Sequence, residues 1–206
     1  MQGDALYPPF LKHSWISRIE GDVLYVTDRR KLPSVHEEVI CRNAEEAASA
    51  IKAMVTQGGG PLEVALNAML LASRKGEDLE KAVLVLSSSR PTNTTMKRTL
   101  AAIMERYRAG EEMEELIHSA FNYYDELYDA VSDIGASLIE DGDGILTRCF
   151  PEHTFLLSVR KAVLSGKAVH VYVPETRPYL QGARLTEPSL RAMGISCSLI
   201  TDAMNA

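Results

Sequence analysis

An α/β protein in two parts is what this sequence predicts: a mainly helical N-terminal domain over 1–140 that carries a small β hairpin, then the first part of an open parallel α/β domain over 141–206. Three patterns predict it. Near the start, apolar side chains alternate on either side of a Gly-centred turn. From Asn43 to about residue 140 they recur at steps of three and four. After "EDGDG", short apolar runs alternate with short helical stretches, which is the grammar of a parallel sheet.

The hairpin spans 13–33, around Glu20-Gly21-Asp22. Asn43 with Glu46 then reads as a capping box, and behind it Ala44, Ala47, Ala48, Ile51, Met54 and Val55 share one helical face. "QGGGP" breaks that helix. Pro61 suits the first turn of the next, which carries Leu62, Ala65, Met69 and Ala72 and stops near Gly76. Further helices are expected over 78–88 and 94–108, with "SSSRPT" between them. The longest periodic stretch, 111–140, predicts a long amphipathic helix whose first turn is the acidic "EEMEE". Then follow a short strand at 145–147, a helix over 154–165, a strand at 168–173, a short helix at 187–193 and a strand at 195–200. These make an incomplete Rossmann-like parallel α/β domain. Open sheets are usually larger than three strands, so its edge should be covered by more chain, a partner subunit or a swapped copy.

Apolar content of 46% and charged content of 24% are those of a soluble globular protein. A net charge of -6 argues against nucleic-acid binding, which wants a basic face. No apolar run approaches the roughly 20 residues that cross a bilayer, and no signal peptide is read at the start. Cys41, Cys149 and Cys197 are widely spaced and the five histidines are scattered. Neither a disulfide framework nor a metal site is expected, no cofactor is called for, and a reducing cytoplasm is the expected setting.

Five features could carry chemistry. Cys149 lies just past "ILT", where ligands bind in open α/β sheets. A thiol there can act as acid, base or nucleophile, and Arg148 with the following helix start would favour thiolate; the plainer reading is a small buried cysteine. In "QGGGP", Gly58 and Gly59 let backbone N–H groups approach an anion at a helix start, or they simply make a flexible turn. Arg90 sits at the break made by Pro91 and could hold a phosphate, or be a solvated arginine. Finally, "ETRPYLQGARLT" (175–186) crowds planar hydrogen-bonding side chains, Gln181 among them, directly after a buried strand. It is either an ordinary polar loop or a ligand site at a strand's carboxyl end. Asp202 could be a base, a hydroxyl-binding carboxylate or a cap.

"ETRPYLQGARLT", "GDGILTRC", "SRPTN", "TDRRKLP", "AIKAMVTQGG" and "GISCSLITDAMNA" together resemble the methylthioribose-1-phosphate isomerase family. That family shares its fold with ribose-1,5-bisphosphate isomerase and with the regulatory alpha, beta and delta subunits of the initiation factor 2B exchange complex. The resemblance implies an aldose–ketose isomerisation of a ribose 1-phosphate derivative in methionine salvage. Cys149 matches the family's catalytic cysteine, Gln181 a substrate-binding glutamine and Arg90 a phosphate-binding arginine, with the backbone of Gly58 and Gly59 completing the phosphate site. Three departures stand beside this. Gln57 occupies the place of the arginine that begins the family's "RGA" loop. "LTRCF" replaces "LTHCN". The downstream "GADRI" and "NKxGT" segments, which bring the catalytic aspartate and a lysine, do not occur within these 206 residues, and Asp202 matches a different aspartate. The implied picture is a homo- or hetero-oligomer in which a second polypeptide supplies the rest of the α/β domain. The alternative is a non-catalytic regulatory or sugar/nucleotide-phosphate-binding subunit.

Overall fold

The computed structural model describes residues 7–205. Contacts within the chain divide it into two compact units, one of His13–Tyr123 and one of Met1–Lys12 with Tyr124–Ala206.

The His13–Tyr123 unit opens with a single turn, α1 (His13–Ile16), and an antiparallel sheet in the order β1 (Ser17–Glu20), β2 (Val23–Thr27), β3 (Glu38–Cys41). Gly21, at φ 58, lets the chain reverse between β1 and β2, as the hairpin pattern required. Helices α2 (Ala44–Lys52), α3 (Gly60–Arg74), α4 (Leu79–Ser89) and α5 (Thr94–Arg108) follow, and then α6 (Met113–Leu138) begins. The core is α3. Its apolar content is spread around its whole circumference, so it is buried from Gly60 to Ala72 apart from Asn67, with α2, α4, α5 and β1 packed about it. Local chemistry fixes the helix starts. The side-chain oxygens of Asn43, Asp78 and Asn93 each accept a backbone N–H three residues on, at 2.8, 3.1 and 3.0 Å.

In the other unit, β4 (Gly144–Leu146), β5 (His170–Pro174) and β6 (Cys197–Ile200) form a parallel sheet in that order. Ile145 pairs with Val171, and Val171 with Cys197. Crossover helices α7 (Glu152–Leu164) and α8 (Glu187–Ala192) join the strands. Right-handed connections along a sheet whose order never reverses lay both helices on one face. Leu156, Leu157 and Val159 of α7 and Leu190 of α8 accordingly cluster with Val171 and Val173. Their opposite-facing neighbours Leu146 and Tyr172 are 53% and 43% exposed.

The structure corrects the sequence reading in four places. The hairpin is part of a three-stranded sheet, because β3 adds to β2 with Val26 opposite Val39. The α2 helix stops at Lys52: Met54 turns left-handed (φ 59), and the Val55 N–H returns to the Ala50 carbonyl at 3.1 Å, so Val55 is buried from outside the helix. The capping box closes one residue early, since the Glu46 carboxylate accepts from the Arg42 N–H at 2.8 Å rather than from Asn43. And 175–186 is not all loop. Its second half, Gly182–Thr186, is a π-helical turn that runs straight into α8, with the Glu187 N–H on the Gly182 carbonyl.

Candidate functional site

The carboxyl ends of β4 and β5 carry two loops that hold each other. The first contains Cys149, half-buried and in the left-handed conformation at φ 58. The second begins at Glu175. Thr176 accepts the Cys149 N–H on Oγ1 at 3.1 Å, and Thr186 donates its hydroxyl to the Cys149 carbonyl at 2.5 Å. Both backbone polar groups of the cysteine are therefore occupied by threonine side chains of one segment, which leaves the thiol as its group for chemistry. Thr176 is itself tied down. Asp202, just past β6, accepts the N–H of Thr176 on one carboxylate oxygen and that of Arg177 on the other, each at 2.8 Å. Those two N–H groups, with Arg177 and Arg148 nearby, hold the Asp202 carboxyl below the usual aspartate range.

This corner is strained. Cys149, Glu152, Thr176 and Leu180 all have positive φ without being glycine. Each such residue costs on the order of 1–2 kcal/mol, and strain of this kind gathers where a loop is shaped for a ligand. Gly182 is the tightest point: a methyl group there would lie 1.8 Å from the Pro174 carbonyl oxygen. Gln181 stands one residue before it, half-buried at the head of the π turn. Single π turns recur at functional sites.

Gly58, Gly59 and Arg90 lie in the other unit. Gly58 has φ 63, and Gly59 is the N-cap of α3 with no side chain to cap it. Arg90 ends α4 and is half-buried, and its Nη1 is buried with no hydrogen-bond partner among the described residues. A buried guanidinium nitrogen in that condition is suited to an anionic oxygen. Burial pushes the Cys41 thiol up to about 11 and raises that of Cys197. Among the described residues no cluster of His, Cys, Asp and Glu could hold a metal ion, and no helix is long and apolar enough to cross a membrane.

Three residues are not singled out by the sequence. Thr176 and Thr186 were ordinary members of a polar stretch, and only the fold brings them to Cys149. Arg29 was only one letter of the motif "TDRRKLP", yet it is 2% exposed.

Residues 40–206 match the model of the "Initiation factor 2 subunit family". The chain is 37% identical to "Methylthioribose-1-phosphate isomerase" of Thermotoga neapolitana, an alignment covering 89% of this chain and 60% of that protein. It is 34% identical to the protein of the same name from Thermosipho africanus, over 90% of this chain and 60% of the relative. A solved structure of "translation initiation factor eIF-2B, subunit delta" from A. fulgidus superposes with a TM-score of 0.67 at 34% identity, covering 90% of this chain and 62% of that one. The fold also matches "5-methylthioribose 1-phosphate isomerase" from Pyrococcus horikoshii, with a TM-score of 0.72 at 23% identity, over 92% of this chain and 60% of that one. The chain spans about 60% of the length of the curated relatives it matches.

Proposed function

We propose, given that the chain belongs to the initiation factor 2 subunit family, that it forms the cysteine-bearing part of an aldose–ketose isomerase acting on a ribose 1-phosphate derivative of the methylthioribose 1-phosphate type. The observation that carries this reading is the Cys149 loop: a thiol at a strand's carboxyl end, its backbone gripped by Thr176 and Thr186. In the reaction the ring C1–O bond breaks and the ring oxygen takes a proton. A hydrogen passes from C2 to C1, and the C2 hydroxyl loses its proton as C2 becomes a ketone. C1 is reduced as C2 is oxidised, so no outside electron donor is needed. Two protein groups must exchange protons, and Cys149 is one. Gln181 orients the sugar, and, taken within their own unit, Gly58, Gly59 and Arg90 offer groups suited to a phosphate.

Asp202 is assigned a positioning part, since each of its oxygens accepts a backbone N–H of the second loop. The second carboxylate comes from the length of the relatives that this chain does not cover. A reducing cytoplasm suits a working thiol, and the three cysteines are unpaired. The test is turnover of methylthioribose 1-phosphate by the chain alone and with a polypeptide covering that remaining length. Turnover should need both and should vanish on Cys149→Ala. A second reading, a non-catalytic regulatory subunit, is favoured by Gln57 in the glycine loop and by the 34% identity to the eIF-2B delta structure. Sugar-phosphate binding without turnover in the reconstituted complex would establish that reading instead.

A further inference from the structure

Thr176 is the hub of the loops at the carboxyl end of the parallel sheet. Asp202 holds its N–H at 2.8 Å, and its carbonyl accepts the Leu180 N–H at 2.7 Å. Its hydroxyl donates to the Pro174 carbonyl at 3.2 Å, which leaves Oγ1 to accept the Cys149 N–H. Thr186, fully buried, gives its own hydroxyl proton to the Cys149 carbonyl. The N–H and carbonyl of a residue follow its φ and ψ, so pinning both fixes where its Cα–Cβ bond points. Cys149 needs such pinning, because a non-glycine residue at φ 58 is off its preferred backbone. The two grips stand on either side of Gln181, in one segment. The π turn Gly182–Thr186 holds one residue more than an α turn would. A slip of one residue turns a helical side chain by about 100°. The π turn therefore decides whether the Thr186 hydroxyl meets the Cys149 carbonyl.

We infer that Thr176 and Thr186 are positioning residues: together they hold the Cys149 thiol toward the sugar that Gln181 orients, and the π turn brings Thr186 into register for this. One segment thus carries both the substrate-orienting amide and the support of the thiol, so the two keep a fixed relation. Asp202 acts on Cys149 at one remove, through Thr176. The inference rests on the reading that this corner receives the sugar of a sugar phosphate.

The experiment is alkylation of the whole chain by iodoacetamide, followed at Cys149 and Cys197 by peptide mapping, with and without saturating ribose 1-phosphate and alongside thermal melts. Cys197 lies in the same sheet and is also half-buried, so it reports general loosening. Thr176→Val and Thr186→Val keep the branched shape and remove the hydroxyl. Each should speed alkylation of Cys149 about tenfold, the ratio that loss of one net hydrogen bond produces, and leave Cys197 unchanged. Thr176→Ser and Thr186→Ser keep the hydroxyl and should behave as the wild type. Ribose 1-phosphate should shield Cys149 in the wild type and not in the valine variants. Asp202→Asn loosens Thr176 without touching Cys149 and should speed Cys149 less than Thr176→Val does. An unchanged Cys149 in the folded valine variants, an equal rise at Cys197, or no recovery with serine each overturn the proposal. Where the valine variants do not fold, an unchanged Cys149 in Asp202→Asn does so. A wild-type Cys149 that ribose 1-phosphate leaves unshielded, with the valine effect on the free chain intact, would sink the sugar-phosphate reading and leave the threonines as the hold on Cys149.

Discussion

Asp202 joins the ends of two strands through a pair of backbone N–H groups, and its charge is what makes those bonds strong. Its pKa lies below the unfolded value. The carboxylate therefore contributes fully above the ordinary aspartate range, near ~3.9, and its contribution is lost as pH falls through the lower folded value. Asp202→Asn keeps only one acceptor oxygen, so it should melt below the wild type at pH 7. The difference should close on acidification below about pH 4. Thermal melts of both chains across that range check it, and a gap that persists at low pH would show that Asp202 acts through something other than its charge. Before folding is considered, Asp202 reads equally well as base, ligand or cap, because a carboxylate's role depends on which N–H groups reach it. Cys149 and Gln181 are singled out by the motifs around them. Thr176, Thr186 and Arg29 were not, because nothing in their immediate neighbours distinguishes a gripping threonine or a buried arginine from a solvated one.

Helices declared themselves and the irregular pieces did not. Asn43, Asp78 and Asn93 are local signals, each acting across three residues, and α2 to α5 begin or end close to where composition puts them. The β3 strand is different: Glu38–Cys41 leaves Ile40 exposed and buries Cys41, and only its pairing with β2 makes it a strand. The π turn after Gln181 is likewise set from a distance, by the approach of Gly182 to the Pro174 carbonyl. Gly182→Ala should therefore be costly although alanine is the better helix former, because the obstacle is backbone rather than a flexible side chain. A loss of about 1–3 kcal/mol by denaturant titration is expected, the usual range for overpacking. A neutral or stabilising result would mean that the π turn relaxes freely into α8.

At the scale of the whole molecule, the parallel sheet is the unbalanced feature. Such sheets are ordinarily covered on both faces, whereas here α7 and α8 cover one, and Leu146 and Tyr172 stand exposed on the other. β6 is also an edge, with Leu199 49% exposed. The chain on its own should self-associate, and light scattering that finds a stable monomer would contradict this. The parallel grammar was readable because each strand is a short apolar run ending at a turn. How the faces are filled was not, since that depends on the direction of successive crossovers. One last consequence concerns the order in which the chain is made. The groups that fix the Cys149 backbone lie 27 and 37 residues further along. A ribosome must therefore deliver β5 and the entire turn beyond it before the cysteine can take its shape. Until then the nascent thiol is merely a passenger, and any stall within that window leaves it ungoverned.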